Sequence, residues 1–190
     1  MYHGVPRPEF QSPERTIQRA VARLKEEGLV KAEVRNGWAL LFHPAFQARF
    51  DLLIDEVKAL KAAEPASWKD HPKAKLLERI RRIVFDEIPM DPDAPEFRQG
   101  NTSGVTNRRW RRAKFLQRFR LFFRFDSESK VIIIAWVNDE NTLRKAGAKT
   151  DPYTVFARQL ARGDPPADWP KLLAMAKPPT SIPEPTSTTT

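Results

Sequence analysis

Basic side chains concentrate in one short stretch of this sequence. Residues 98–124 hold nine Arg and Lys and no acidic residue, whereas the whole chain of 190 residues has 33 Arg and Lys against 24 Asp and Glu. Outside the stretch the two kinds balance at 24 each, so the formal net charge of +9 belongs to residues 98–124. Guanidinium and ammonium groups at this density bind phosphate, which indicates a polyanionic partner: nucleic acid first, an acidic protein second. The nine residues are Arg98, Arg108, Arg109, Arg111, Arg112, Lys114, Arg118, Arg120 and Arg124.

The spacing within this stretch predicts two neighbouring strands. Apolar and basic residues alternate in it, as side chains alternate between the two faces of a β-strand. One side holds Ala113, Phe115, Phe119, Leu121, Phe123 and Phe125, and the other holds Trp110, Arg112, Lys114, Arg118, Arg120, Phe122 and Arg124. If the two strands are antiparallel, the second set forms a basic sheet face that points to solvent and can hold phosphates.

Other segments predict the elements that position this face. A strand is expected at residues 37–42, helices at about 44–61 and 73–87, a buried strand at 131–137 and a last helix at 152–162. His43-Pro44 and Asp151-Pro152 are helix starts, and Gly163 is a helix end. The expected fold class is α+β: a small antiparallel sheet with an N-terminal helical pair packed on one face and a C-terminal helix.

Composition and length bound the domain organisation and the location. We expect an N-terminal extension at residues 1–34, which is a helix from Ser12-Pro13 to Gly28 or a translated upstream leader, then one domain at 35–175 and a disordered tail at 176–190. The absence of cysteine excludes disulfides and thiolate chemistry and fits a cytoplasmic protein. The longest apolar run, residues 131–137, is too short to span a bilayer, so no membrane is expected.

Four contiguous motifs resemble a known family. NGWALLFHPAFQ (36–47), AKFLQRFRLFFRF (113–125), IIIAWVNDENTLRKAGAKTDPYTVF (132–156) and GDPPADW (163–169) are similar to the YhaV toxins of bacterial type II toxin–antitoxin systems, in the RelE/ParE superfamily. The resemblance implies a RelE/ParE-like fold and a ribosome-associated endoribonuclease that cuts mRNA. It also implies a PrlF-like antitoxin as the neutralising partner.

The resemblance also implies roles for particular residues. Cleavage of RNA without a metal requires deprotonation of the 2′-hydroxyl, stabilisation of the phosphorane and protonation of the leaving 5′-oxygen. Arg112, Lys114, Arg120 and Tyr153 are the implied catalytic residues, with Arg112 the most essential. The expected RNA-binding residues are Arg109, Arg111, Arg118, Arg124, Trp136 and Lys149. No carboxylate pair has metal-ligand spacing, and we expect neither a metal nor another cofactor.

Several residues keep a second interpretation at this point. Trp136 could stack on a base or lie in the core, and Tyr153 fits the inner stripe of its helix as well as a site. Asp139 or Glu140 could be a general base, or Asp139 could cap a helical turn. The alternative function is a non-catalytic basic toxin or regulator that inhibits a protein or nucleic-acid target by binding.

Overall fold

Five strands and four helices of seven residues or more make up the part of the chain that the computed structural model describes, residues 33–99 and 109–185. The strands are β1 (Glu33–Arg35), β2 (Trp38–Phe42), β3 (Arg111–Phe115), β4 (Phe119–Asp126) and β5 (Val131–Val137). The helices are α1 (Pro44–Ala63), α2 (Pro72–Arg82), α3 (Pro152–Arg162) and α4 (Trp169–Met175). A π-helical segment, Ile83–Glu87, and a short helical turn, Ile88–Met90, continue α2.

The strands form one sheet in the order β1-β2-β5-β4-β3. All pairs are antiparallel except β2 and β5, which run parallel with Leu41 opposite Ile133. Tight turns join β1 to β2 through Asn36 and Gly37, both at positive φ, and β3 to β4 through Leu116 and Gln117, also at positive φ. The predicted hairpin of two basic strands is therefore confirmed, and the sheet as a whole is mostly antiparallel.

Side-chain caps followed by proline start the long helices. His43 accepts a hydrogen bond from the backbone N–H of Ala45 at the start of α1, and Asp151 accepts one from the N–H of Tyr153 at the start of α3. A proline follows each cap at a position whose N–H has no partner inside the helix. Gly163 ends α3 in the left-handed conformation at φ 79°. These helix limits agree with the sequence patterns.

Both faces of the sheet are covered by helices. The face that carries Leu121 and Phe123 packs against α1 and α2, in a cluster with Phe50 and Ile80. The opposite face carries Phe122, Trp136 of β5 and Trp110, which precedes β3. These residues form a second cluster with Phe156 of α3 and with Leu172 and Leu173 of α4. The expectation that this second face points to solvent is wrong, because aromatic residues between the arginines draw the C-terminal helices onto it.

The sequence patterns did not predict β1 or α4. Residues 177–185, part of the segment expected to be disordered, are described by the structure and contact the domain. Lys177 exchanges two backbone hydrogen bonds with Phe42, at 2.6 and 2.9 Å, where β2 extends beyond the first residue of β1. Thr180 and Ser181 donate to the carboxylate of Asp51 on α1. The predicted helix at residues 12–28 lies outside the described residues, and the division of the chain into domains stays a prediction.

Hydropathy gives no sign of a membrane span in the described residues. No helix within residues 33–99 and 109–185 is both long enough and apolar enough to cross a bilayer.

Candidate active site

The phenol of Tyr153 lies between two arginines of the hairpin. Its oxygen accepts a hydrogen bond from Nε of Arg112 at 2.5 Å and another from Nε of Arg120 at 3.2 Å. Arg112 is on β3 and Arg120 on β4, and both point to the face that α3 covers, where Tyr153 occupies the first turn of that helix. Three of the four residues expected to be catalytic are thus in direct contact.

Backbone carbonyl groups hold these two guanidinium groups in place. Nη1 of Arg112 donates to the carbonyl of Arg98 at 2.8 Å. Nη1 of Arg120 donates to the carbonyl groups of Gln117 and Phe119, at 3.0 and 2.6 Å. Arg112 and Arg120 are only 8% and 7% exposed, so the expectation that Arg112 points to solvent is wrong. Hydrogen bonds to carbonyl and phenol oxygens compensate these cations for the water contacts that they lose on burial.

A third guanidinium group lies over the ring of Tyr153. The Cζ of Arg144 is 5.2 Å from the ring centroid, and Nη1 of Arg144 donates to the carboxylate of Asp151. Asp151 is 3% exposed and also accepts hydrogen bonds from the backbone N–H groups of Lys145 and Tyr153. One buried carboxylate therefore orients both Arg144 and the helix turn that carries Tyr153.

Asn138 fixes the loop that connects β5 to this cluster. Its side-chain oxygen accepts from the backbone N–H of Arg120 at 2.5 Å, and its nitrogen donates to the carbonyl of Thr142 at 2.9 Å. The backbone N–H of Arg144 in turn donates to the carbonyl of Arg118 at 2.9 Å. The loop is thereby tied to the β3–β4 turn, which sets the distance between Arg144 and Arg120.

The sequence patterns missed Arg144 and the ion-pairing role of Asp151. The patterns assign Asp151 only to a helix start, and they name Lys149 as the cation of this loop without considering Arg144. One signal could have revealed them: Asp151 is a helix cap that directly follows a loop rich in basic residues. A capping carboxylate that loses its hydration on burial requires a cation nearby, and the loop could supply one.

Four other residues expected to act at the site are exposed to solvent. Lys114 is exposed on β3 and is paired in register with Arg120 of β4. Arg109, Arg118 and Lys149 are exposed as well, and Nε of Arg118 donates to the carbonyl of Arg144. All four side chains are open to solvent, and only Lys114 and Arg118 lie on the hairpin next to Arg120. That they contact RNA stays a prediction.

Three residues expected to bind RNA are engaged within the protein. Arg111 projects to the α1–α2 side of the sheet, where it forms an ion pair with Asp93 at 2.7 Å. Trp136 is 5% exposed and stacks on Phe156, so its ring belongs to the core and is not offered to a base. Arg124 is buried, and the expectation that it lies on an open basic face is wrong.

Arg124 connects the sheet to the loop between α3 and α4. Its guanidinium group lies between the rings of Trp110 and Trp169, at 5.5 and 5.3 Å from their centroids, and Nη1 donates to the carbonyl of Ala167 at 2.6 Å. Burial, and after it the charge of Arg109, lower the pKa of Arg124, while the carboxylate of Asp168 opposes them. This arginine fastens the C-terminal helices to the sheet.

Asp139 caps the short helical turn Glu140–Thr142 and pairs with Arg49 of α1 at 2.8 Å. Burial alone would raise the pKa of Asp139, but the hydrogen bond from Thr142 and the charge of Arg49 outweigh it and hold that pKa below its ordinary value. The capping interpretation is confirmed, and the ion pair turns the carboxylate toward α1. Among residues 33–99 and 109–185, no three His, Cys, Asp or Glu side chains come together as a metal-binding group.

Comparison with known proteins identifies the family of this chain. A family model described as a toxin with endonuclease activity, of a toxin–antitoxin system, matches residues 40–177. Toxin YhaV of Escherichia coli O6:H1 and Ribonuclease toxin YhaV of Escherichia coli K12 are each 48% identical over 139 residues, covering 72% of this chain and 90% of theirs. No solved structure matches the chain. The chain belongs to the YhaV family of toxins, which have endonuclease activity and form part of toxin–antitoxin systems.

Proposed function

We propose that this toxin cuts mRNA on the ribosome in the cytoplasm, without a metal, and that a PrlF-like antitoxin neutralises it. The relative from Escherichia coli K12 carries the name of a ribonuclease toxin, which supports RNA as the substrate. The observation that carries the proposal is the phenol oxygen of Tyr153 between the guanidinium groups of Arg112 and Arg120. A RelE/ParE-like ancestry, implied by the sequence motifs, is part of the same proposal.

Tyr153 is the proposed general acid. During cleavage the 2′-oxygen bonds to phosphorus and gives its proton to solvent water, while the bond from phosphorus to the 5′-oxygen breaks. The phenol oxygen already accepts hydrogen bonds from two arginine N–H groups. Its own O–H is therefore left to give its proton to the departing 5′-oxygen. The phenol then regains a proton from solvent. The cations beside it stabilise the negative charge that its oxygen acquires as the proton leaves.

The electrostatics of the cluster favour phosphate over a divalent metal ion. Three guanidinium groups lie within about 6 Å of the Tyr153 ring, from Arg112, Arg120 and Arg144. Their combined charge attracts an RNA phosphate and repels a cation. Lys114, exposed and opposite Arg120, extends this attraction along β3. An antitoxin with acidic or apolar segments would neutralise the toxin by covering the same residues.

A cleavage assay with Tyr153→Phe tests the assignment. The variant keeps the ring, which packs edge-on against Phe122 at 5.7 Å, and removes only the hydroxyl. In a reconstituted translation reaction, mapping of new 5′ ends on a defined mRNA should show a rate at least about 100-fold below wild type. Thermal unfolding followed by circular dichroism should stay close to that of wild type.

Two further comparisons separate the parts of the proposal. Cleavage of free RNA with and without EDTA tests whether a metal is needed, and cleavage of mRNA on translating ribosomes against free mRNA tests whether the ribosome is needed. A wild-type rate in Tyr153→Phe would remove Tyr153 from the reaction. No cleavage by wild-type protein under any condition would favour inhibition by binding alone.

A further inference from the structure

The three arginines around Tyr153 differ in their access to a substrate. Arg112 and Arg120 are 8% and 7% exposed, whereas the side chain of Arg144 is 31% exposed. Both buried arginines use Nε for the phenol of Tyr153 and Nη1 for backbone carbonyl groups. Nε and Nη1 of each guanidinium group are thus held by the protein, and this anchoring suits the two arginines to positioning Tyr153.

Arg144 has the opposite character. Within residues 33–99 and 109–185, Asp151 is the hydrogen-bond partner of its guanidinium group, through Nη1 alone. A guanidinium group carries five N–H donors in a planar fork that matches phosphate oxygens. Arg144 therefore combines an open side chain, donors left for a ligand, and a position 5.2 Å from the centre of the Tyr153 ring.

Asp151 fixes the position of the Arg144 guanidinium group. One oxygen of its carboxylate binds Arg144 and the N–H of Lys145, and the other binds the N–H of Tyr153. The same buried group thus sets the position of the cation and of the proposed acid relative to each other. Donors held in place before the reaction stabilise developing charge most effectively, because no reorganisation is needed.

We propose that Arg144 contacts the scissile phosphate and stabilises its charge in the transition state, with Asp151 as its positioning residue. Arg112 and Arg120 then act mainly by holding the phenol of Tyr153. This assignment rests on the proposed RNA cleavage, and it transfers the phosphate contact from the residue that the sequence favoured, Arg112, to one that the sequence patterns missed.

Variants at position 144 test the contact. Arg144→Ala and the less disruptive Arg144→Gln should each lower kcat for mRNA cleavage about 100- to 1000-fold, as expected for loss of a transition-state donor. Arg144→Lys should recover part of the rate, since it keeps the charge and loses the fork. The matched control is Arg158→Ala, which removes the same charge from an exposed position on α3 and should cleave as wild type does.

A double-mutant cycle tests the role of Asp151. Asp151→Asn keeps a side chain that caps helices well, so α3 should persist, while the charge that orients Arg144 is removed. It should lower kcat about tenfold with little change in KM, and the loss should vanish in an Arg144→Ala background, because the two residues act through one contact. A purely structural role would instead give the same loss in both backgrounds, which would refute the positioning role.

The outcomes also separate this inference from the function on which it rests. If wild type cleaves mRNA and both Arg144→Ala and Arg144→Gln cleave at the Arg158→Ala rate, the phosphate contact is wrong and the endoribonuclease proposal stands. If wild type does not cleave RNA at all, both proposals fail together.

Discussion

Replacement of Arg124 by alanine should destabilise the protein without removing a substrate contact. Its cation lies between two indole rings and donates a hydrogen bond to the carbonyl of Ala167. The two cation–π contacts contribute about 1 kcal/mol each and the charged hydrogen bond about 2 kcal/mol. Removal of the charge also removes its desolvation penalty, which offsets about 1 kcal/mol. The unfolding free energy should therefore fall by about 3 kcal/mol.

Urea unfolding monitored by circular dichroism measures this loss. With a slope of about 2 kcal/mol per molar urea, the midpoint of Arg124→Ala should fall by about 1.5 M. Arg118→Ala is the matched control, because it removes an exposed arginine from the turn that leads into the same strand. Its unfolding free energy should stay within about 0.5 kcal/mol of wild type.

RNA affinity is measured on the same two variants. Arg124→Ala should bind RNA as wild type does under conditions in which it is fully folded, whereas Arg118→Ala should bind more weakly. The reasoning is refuted if Arg124→Ala unfolds at the wild-type urea midpoint and loses RNA affinity, since that result would place its guanidinium group on an open surface.

Three other measurements follow from the structure. If Lys114, Arg118 and their neighbours hold phosphates, the logarithm of RNA affinity should fall with the logarithm of salt concentration by several units per decade, and a flat response would indicate an acidic protein partner instead. Burial lowers the pKa of His43, while the charge of Asp164 opposes this shift. At pH values below the ordinary pKa of 6.5, His43 therefore binds a proton more readily in the unfolded chain than in the folded chain. Stability should therefore decrease as pH falls from 6.5 through the lower folded pKa, and His43→Asn, which keeps a cap acceptor, should reduce the difference between unfolding free energies measured at about pH 7.5 and about pH 5.5. An equal difference in the variant would show that another group is responsible. Removal of residues 178–190 deletes the hydrogen bonds of Thr180 and Ser181 to Asp51, which are mostly exposed. The deletion should therefore lower the unfolding free energy by about 1 kcal/mol or less, and the antitoxin should still neutralise the toxin. Lost neutralisation would show that the tail is a recognition element.

Local interactions explain where the sequence patterns succeeded. The alternation in residues 119–125 placed Leu121 and Phe123 on one face, because the side-chain period of a strand is set by its own backbone. The cap–proline pairs at His43 and Asp151 located two helix starts, since a cap acts on N–H groups two or three residues away. The family motifs identified the toxin and brought Arg112, Arg120 and Tyr153 to one proposed site.

Tertiary packing decided the rest. A period of two assigns Arg112, Arg120 and Arg124 to one face, but it cannot say whether water or a helix covers that face. The answer depends on the aromatic contacts of Phe122 and Trp110 with Phe156, more than 30 residues further along the chain, and no local pattern encodes them. The same holds for Arg144, which becomes part of the site only because the buried carboxylate of Asp151 and the carbonyl of Arg118 hold its loop against the hairpin. Burial of charge requires partners from distant segments, and such partners exist only once the chain has folded.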